Sequence, residues 1–171
     1  MKNQFVLIVA LFLSLGLYAQ EKFTVPEVPV EQKYRNMLGQ LNGMVAVGIQ
    51  FAKKQGLSAS DYGKYTGNQF KYSWNKDAGF DGFVKGMMRI ITVFVPDPNI
   101  EIITNTPEKV KFKSGLMSIQ VKKNEPYYGI TYKEFMEFFI TVTSTIGNYL
   151  GSETEVTYDE DWMYITLTKI N

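Results

Sequence analysis

The sequence predicts an α+β domain: an antiparallel sheet of about five strands packed against about four helices, after an N-terminal signal peptide. Three observations carry that prediction. Apolar residues recur at steps of three and four over several long segments, the signature of amphipathic helices. Short segments of β-branched and aromatic residues, bounded by turn residues, fall in two blocks, 99–123 and 153–169. Finally, the order is helices, strands, one helix, strands, which lacks the strict alternation that builds a parallel sheet.

The first 20 residues, MKNQFVLIVALFLSLGLYAQ, have a basic start at Lys2 and an uncharged apolar run from Phe5 to Leu17. Leu17-Tyr18-Ala19 then offers a small residue at a cleavage position. This is the layout of a signal peptide, and the run is too short to span a bilayer as a mature helix. Residues 21–30, with Pro26 and Pro29 among β-branched neighbours, read as an extended leader. Residues 31–171 then form one domain, large enough for a core and too small for two.

A long helix is expected from about Val30 to Gln55, stopped by Gly56. At 100° per residue, Tyr34, Met37, Leu38, Met44, Val45, Gly48, Ile49, Phe51 and Ala52 share one broad arc. Gly39, Gly43, Ala46 and Gln50 form an opposite strip of small residues, which suggests close approach by another element. Ser58-x-x-Asp61 resembles a capping box and opens a second, shorter helix through Tyr62 and Tyr65. Lys71 to Gly79 reads as a loop around Trp74. A third helix follows from Asp81, as N-cap, to Val95, ended by Pro96 and Pro98.

Three strands are then expected, Asn99–Thr104, Lys109–Lys113 and Met117–Lys123, separated by Asn105-Thr106-Pro107 and Ser114-Gly115. Thr131-x-x-Glu134 is a capping box for a fourth helix, with Phe135, Phe139, Val142, Ile146 and Tyr149 on one face and Gly151 at its end. A hairpin closes the chain, Glu153–Tyr158 and Trp162–Lys169 around Asp159-Glu160-Asp161.

Absences exclude whole classes of chemistry. The chain contains neither histidine nor cysteine. Zinc sites built on these residues, their axial ligation of haem, thiolate nucleophiles, Ser-His-Asp triads, disulfides and a cysteine-linked lipid anchor all go with them. No cofactor or metal is expected. Without Lys2 the charges balance at 17 basic and 17 acidic residues. Lys109, Lys111, Lys113, Lys122 and Lys123, set among Glu101, Glu108 and Glu125, read as a solvated strand face rather than a nucleic-acid footprint. The domain is held by its own core, which 45% apolar and 15% aromatic residues supply.

Carboxylates give little. Asp77-x-Gly79-x-Asp81-Gly82 begins like a calcium loop, but its third position is Gly and its twelfth is Met88. Glu134 has a capping role, Glu137 falls on the polar arc of its helix, and Glu153 and Glu155 alternate towards solvent. No pair is assembled for acid–base work, and no Ser-x-x-Lys occurs. The aromatic and methionine content says more. Such side chains pack cores, and they also line malleable apolar cavities. Met44, Gly48, Met87, Phe135 and Phe139 are the residues expected to line the interior and meet a ligand. Tyr127-Tyr128-Gly129 could gate it.

The run PYYGITYKEFMEFFITVTSTIGNYLGSETEVTYDEDWMYITLTKI, residues 126–170, resembles the C-terminal part of the 4-vinyl-reductase-type domain, related to TRAPP trafficking subunits. An amphipathic helix after a Tyr/Gly turn leads there into two strands. The resemblance covers about a quarter of the chain and rests on pattern. It implies an α+β domain with a small apolar pocket between helices and sheet and a tendency to form a homodimer. Those domains often carry cysteines in the final hairpin. Here the strands offer Val156, Thr157, Met163 and Ile165, so no metal or thiol role carries over.

The expected function is therefore an exported, periplasmic or secreted protein that binds a small apolar molecule. Two alternatives stand beside it: an interaction module using the exposed edge of the 99–123 strands, and a cofactor-free hydrolase or isomerase using a carboxylate.

Overall fold

The structure is a computed structural model describing residues 27–95 and 98–170. The signal peptide, most of the leader, Pro96 and Asp97 lie outside the described residues. Two compact units divide the chain, residues 1–33 and 34–171. In the first, the described residues lead into a helical turn in which the Lys33 amide donates to the Pro29 carbonyl at 2.9 Å. Everything below concerns the second.

The helices are α1 (Val30–Lys54), α2 (Ala59–Phe70), α3 (Gly79–Phe94), a short α4 (Ile119–Lys123) and α5 (Tyr132–Tyr149); the strands are β1 (Glu101–Asn105), β2 (Lys109–Gly115), β3 (Ser152–Tyr158) and β4 (Trp162–Lys169). The fold is α+β, as the pattern predicts. Among the described residues the sheet has four strands in the order β1-β2-β4-β3, every neighbour antiparallel.

The missing fifth strand is the segment Met117–Lys123, which turns at Ser118 in a left-handed conformation and forms α4. Its alternation of Met117, Ile119 and Val121 mimics a strand. Met117 and Val121 are also one helical turn apart, and those two are the fully buried ones. The third helix begins at Gly79 with Ala78 in the N-cap position, so Asp81 sits in the first turn instead of capping it. The loop 71–79 contains two 3₁₀ turns, Lys71–Ser73 and Lys76–Ala78. Both capping boxes form, with Ser58 and Thr131 each accepting from the backbone of Asp61 and Glu134.

Period-two alternation decides the sheet. Val110, Phe112 and Ser114 of β2 stand opposite Leu167, Ile165 and Met163 of β4, and all point to the buried face. Val156 of β3 continues that row beside Ile165. The other face carries the lysines. Glu101 and Lys113 pair across it at 2.8 Å, and the Lys113 ammonium lies 4.8 Å from the Trp162 ring centre. Phe83, Met87 and Ile91 of α3 and Phe135, Met136 and Ile146 of α5 complete the core.

Helices α2 and α5 meet across a glycine strip. A Cβ on Gly63 would lie 2.6 Å from the Phe138 carbonyl oxygen, and one on Gly67 would lie 2.7 Å from Thr145 Cβ. Only glycine allows this approach, so two residues that intrinsically disfavour a helix are the ones that seat this one.

Candidate functional site

Between α1, α2, α3 and α5 lies an apolar cavity of about 490 Å³. Helix α1 contributes Leu41, Met44 and Val45; α2 and the turn after it contribute Tyr62, Thr66, Phe70, Ser73 and Trp74. Met87, Ile90 and Phe94 come from α3, Met117 from the turn before α4. Helix α5 supplies Phe135, Phe138, Phe139, Val142, Thr143 and Ile146. Every group in this wall is uncharged. The Thr143 hydroxyl donates to the Phe139 carbonyl and the Ser73 hydroxyl to the Phe70 carbonyl, each at 2.7 Å, so these protons are already engaged by backbone. Tyr62, Thr66 and Trp74 supply the other polar atoms. Such a wall favours a molecule that is almost wholly apolar and carries no charge, since an unpaired charge there would lose its hydration without compensation.

Aromatic rings fix the shape. Tyr62 stacks on Phe138 with centroids 5.3 Å apart, and Trp74 rests against Phe83 at 5.6 Å. The Tyr62 ring lies over Gly48, where an added Cβ would come within 2.5 Å of its hydroxyl. Outside, an open groove of about 1110 Å³ runs along α1 past Gly39, Gly43 and Val47 to Tyr127 and Tyr128. Met44 and Tyr62 line both hollows and so stand between groove and cavity.

The five expected interior residues are thus distributed unequally. Met87, Phe135 and Phe139 are buried in the cavity wall. Gly48 lines the groove beneath Tyr62. Met44 reaches the cavity but is 73% exposed, so it sits at the mouth and not in the interior. The broad apolar arc read for α1 explains the displacement. Leu38, Ala46, Ile49 and Ala52 face the core, whereas Met37 and Phe51, placed in the same arc, are 59% and 65% exposed. Of the small strip, Ala46 is buried in the core, and a Cβ added at Gly43 would lie 3.4 Å from the Tyr128 ring. The Tyr127 hydroxyl donates to the Gly39 carbonyl at 3.2 Å.

Sequence reading missed a buried polar pair. The Ser118 hydroxyl donates to Asn42 Oδ1 at 2.8 Å, and both residues are fully buried. The Asn42 amide nitrogen has no hydrogen-bond partner. An Asn on the core-facing side of α1 was the available signal. Tyr132 is a second such group: its hydroxyl donates to the Met117 carbonyl at 2.9 Å. Burial, and then the charge interaction with the neighbouring Tyr158 phenol, push its own phenol far above the ordinary value, so it remains a neutral donor.

The carboxylates are separately engaged. Burial works against the Glu134 anion, but the Lys53 ammonium at 2.5 Å and the Thr131 amide and hydroxyl outweigh it and hold the carboxyl below its usual range. This ties the end of α1 to the start of α5. Asp77 lies in a 3₁₀ turn and Asp81 in α3. Among the described residues no group of three or more His, Cys, Asp or Glu is placed to hold a metal ion. No helix among the described residues is long and apolar enough to cross a membrane.

No family model and no curated protein matches the chain. Among solved structures it is similar to three H-NOX proteins. A Cs H-NOX bearing an unnatural amino acid gives 11% identity and a TM-score of 0.39 over 92% of this chain and 83% of that one. An Fe(II) unliganded H-NOX protein mutant from K. algicida gives 10% and 0.37 over 91% and 81%. A Tt H-NOX variant gives 10% and 0.38 over 88% and 78%. At these scores the ligand of this chain has to be argued from its own residues.

Proposed function

We propose that the chain is an exported domain that holds one small, neutral, apolar molecule in the cavity between α1, α2, α3 and α5. The carrying observation is the cavity itself: about 490 Å³ without a charged lining residue, in a domain whose sheet side is closely filled. A void of that size lined by aromatic and methionine side chains forfeits dispersion contacts unless something fills it. The C-terminal resemblance to the 4-vinyl-reductase-type domain supports the same reading.

Native mass spectrometry of the protein purified from its own host, followed by organic extraction, tests the reading. We expect a persistent extra mass that extraction releases as a neutral apolar compound. An apo mass, together with no binding of the neutral fluorophore N-phenyl-1-naphthylamine, would overturn it. N-terminal sequencing tests export: the protein should begin near Gln20 or Glu21, and an intact Met1 removes that part of the proposal.

A second reading rests on β1. This edge strand is exposed at four of its five residues, Ile102 and Ile103 included, and among the described residues no strand lies along its outer side. An added partner strand there would be lost on Ile103→Pro and unaffected by changes in the cavity.

A further inference from the structure

The polar atoms of the cavity wall lie on one side of it. Helices α1 and α3 and the turn before α4 contribute only apolar side chains. On α5 the polar group is Thr143, whose proton is spent on the Phe139 carbonyl. Tyr62, Thr66, Ser73 and Trp74 supply the rest, and all belong to α2 or the turn that follows it. The Ser73 proton is engaged by the Phe70 carbonyl. Among the described residues the Tyr62 and Thr66 hydroxyls and the Trp74 indole N–H have no hydrogen-bond partner. Thr66 stands out. A threonine inside a helix commonly returns its proton to a carbonyl three or four residues earlier, as Thr92, Thr141, Thr143 and Thr145 do at 2.7–2.8 Å. Thr66 does not. Nor are these donors walled off by packing, as the Asn42 amide nitrogen is, so an incoming group can reach them.

We propose that the molecule held in the cavity is a neutral carbonyl compound: a hydrocarbon body against α3 and α5, with its oxygen turned towards α2 to accept from Thr66 and Tyr62. This rests on the cavity reading above and names the class of apolar molecule that the wall selects. Tyr62 and Thr66 lie one helical turn apart on the same face of α2. The wall offers protons and little to receive them. An indole N–H only donates, and a phenol donates better than it accepts, because its lone pairs are shared with the ring. A carbonyl oxygen has lone pairs and no proton, so it meets such a wall without leaving a group of its own unpaired. An alcohol or an amine would bring a further proton, and a carboxylate would bring a charge that no cationic side chain in the wall balances. A plain hydrocarbon would fill the space but strip the donors of water and give nothing back. Sites built to hydrogen-bond a substrate group reject the analogue that lacks it for this reason.

Equilibrium dialysis of the chain, purified as the cell processes it, against 1-acetylnaphthalene and against 1-ethylnaphthalene tests this. The two compounds share a ring system and nearly a size, and only the first has an acceptor oxygen. The hydrocarbon leaves water more readily, so the ratio of the two affinities is compared between wild type and variants rather than read alone. Thr66→Val keeps the shape and removes the proton. Tyr62→Phe does the same and keeps a ring stacked on Phe138. Each should weaken ketone binding about three- to tenfold and change hydrocarbon binding by less than about twofold. Thr143→Val removes a hydroxyl that is already spent, so it should leave the ratio where it is. Infrared spectra of the wild-type complex need no variant: the ketone carbonyl stretch should lie below its position in hexane. A stretch at the hexane position, a ratio moved by neither Thr66→Val nor Tyr62→Phe, or a ratio moved as far by Thr143→Val would each overturn the proposal and leave the cavity reading standing. If neither compound binds, the cavity reading is lost and the ligand class with it.

Discussion

The two sides of the core are built to different tolerances. On the sheet side Val110, Phe112, Met163, Ile165 and Leu167 are almost wholly buried, and each has a cross-strand neighbour on the same face. On the helical side the walls supplied by α1, α2, α3 and α5 stand apart around a cavity, and α1 turns large apolar side chains outward. The sheet side is filled by its own residues; the helical side is shaped to take something else. If that contrast is real, equal truncations on the two sides must cost unequal amounts.

Phe112→Ala is the largest test. The ring is fully buried at the middle of the sheet, opposite Ile165. We expect a loss of about 3–5 kcal/mol in urea unfolding, within the range for buried Phe. Phe139→Ala, in the cavity wall, should lose only about 2–3 kcal/mol, since part of the ring already faces empty space. Equal losses would erase the comparison.

That same contrast explains what could be read from sequence. Strand alternation leaves two faces and only one can be buried, so a strand range alone puts Val110 with Phe112, and Met163 with Ile165 and Leu167, on one face. Local caps were equally legible, because Ser58/Asp61 and Thr131/Glu134 need nothing beyond their own turn. Helix α1 was not. Apolar residues occupy well over half of its circumference, so periodicity could not say which face meets the core, and Met44 was assigned inward although it lies at the mouth. Met117–Lys123 failed for a related reason: a two-residue alternation of three residues is also a one-turn helix. The cavity left no trace in the pattern, because a void depends on how far apart helices stand.

Gly63→Ala sharpens the comparison at the α2–α5 contact. Alanine is the better helix former by about 1 kcal/mol, but its Cβ would meet the Phe138 carbonyl at 2.6 Å and Thr141 Cβ at 3.0 Å. Backbone must move, so we expect a net loss of about 1–2 kcal/mol in thermal or urea unfolding. A gain would show that α2 rides loosely on α5 and that the cavity wall is soft throughout.

Glu134→Gln should cost less, about 0.5–1 kcal/mol at pH 7, because glutamine can keep the capping bond and loses mainly the pairing with Lys53. Its pH dependence has a definite sign. The carboxyl is held below its ordinary value in the fold, so its contribution is complete above the ordinary glutamate value and disappears as the pH falls through the lower folded one. The stability gap between wild type and variant should therefore be full at pH 7 and close on acidification. A gap that persists at low pH would mean that packing, not charge, ties α1 to α5.

Val142→Phe should have the smallest effect on stability and the most telling effect on binding. Val142 lines the cavity from α5, and the larger ring has space to enter. In a filled core the added atoms would cost about 1–3 kcal/mol; here the change should stay within about 0.5 kcal/mol, because new dispersion contacts offset the lost rotamer freedom. The same ring takes the place a ligand would occupy, so affinity for N-phenyl-1-naphthylamine should fall at least tenfold. Unchanged stability with lost binding would locate the ligand between these helices. A large destabilisation would mean that the helical side is packed as tightly as the sheet, and the argument from unequal tolerances would fail with it.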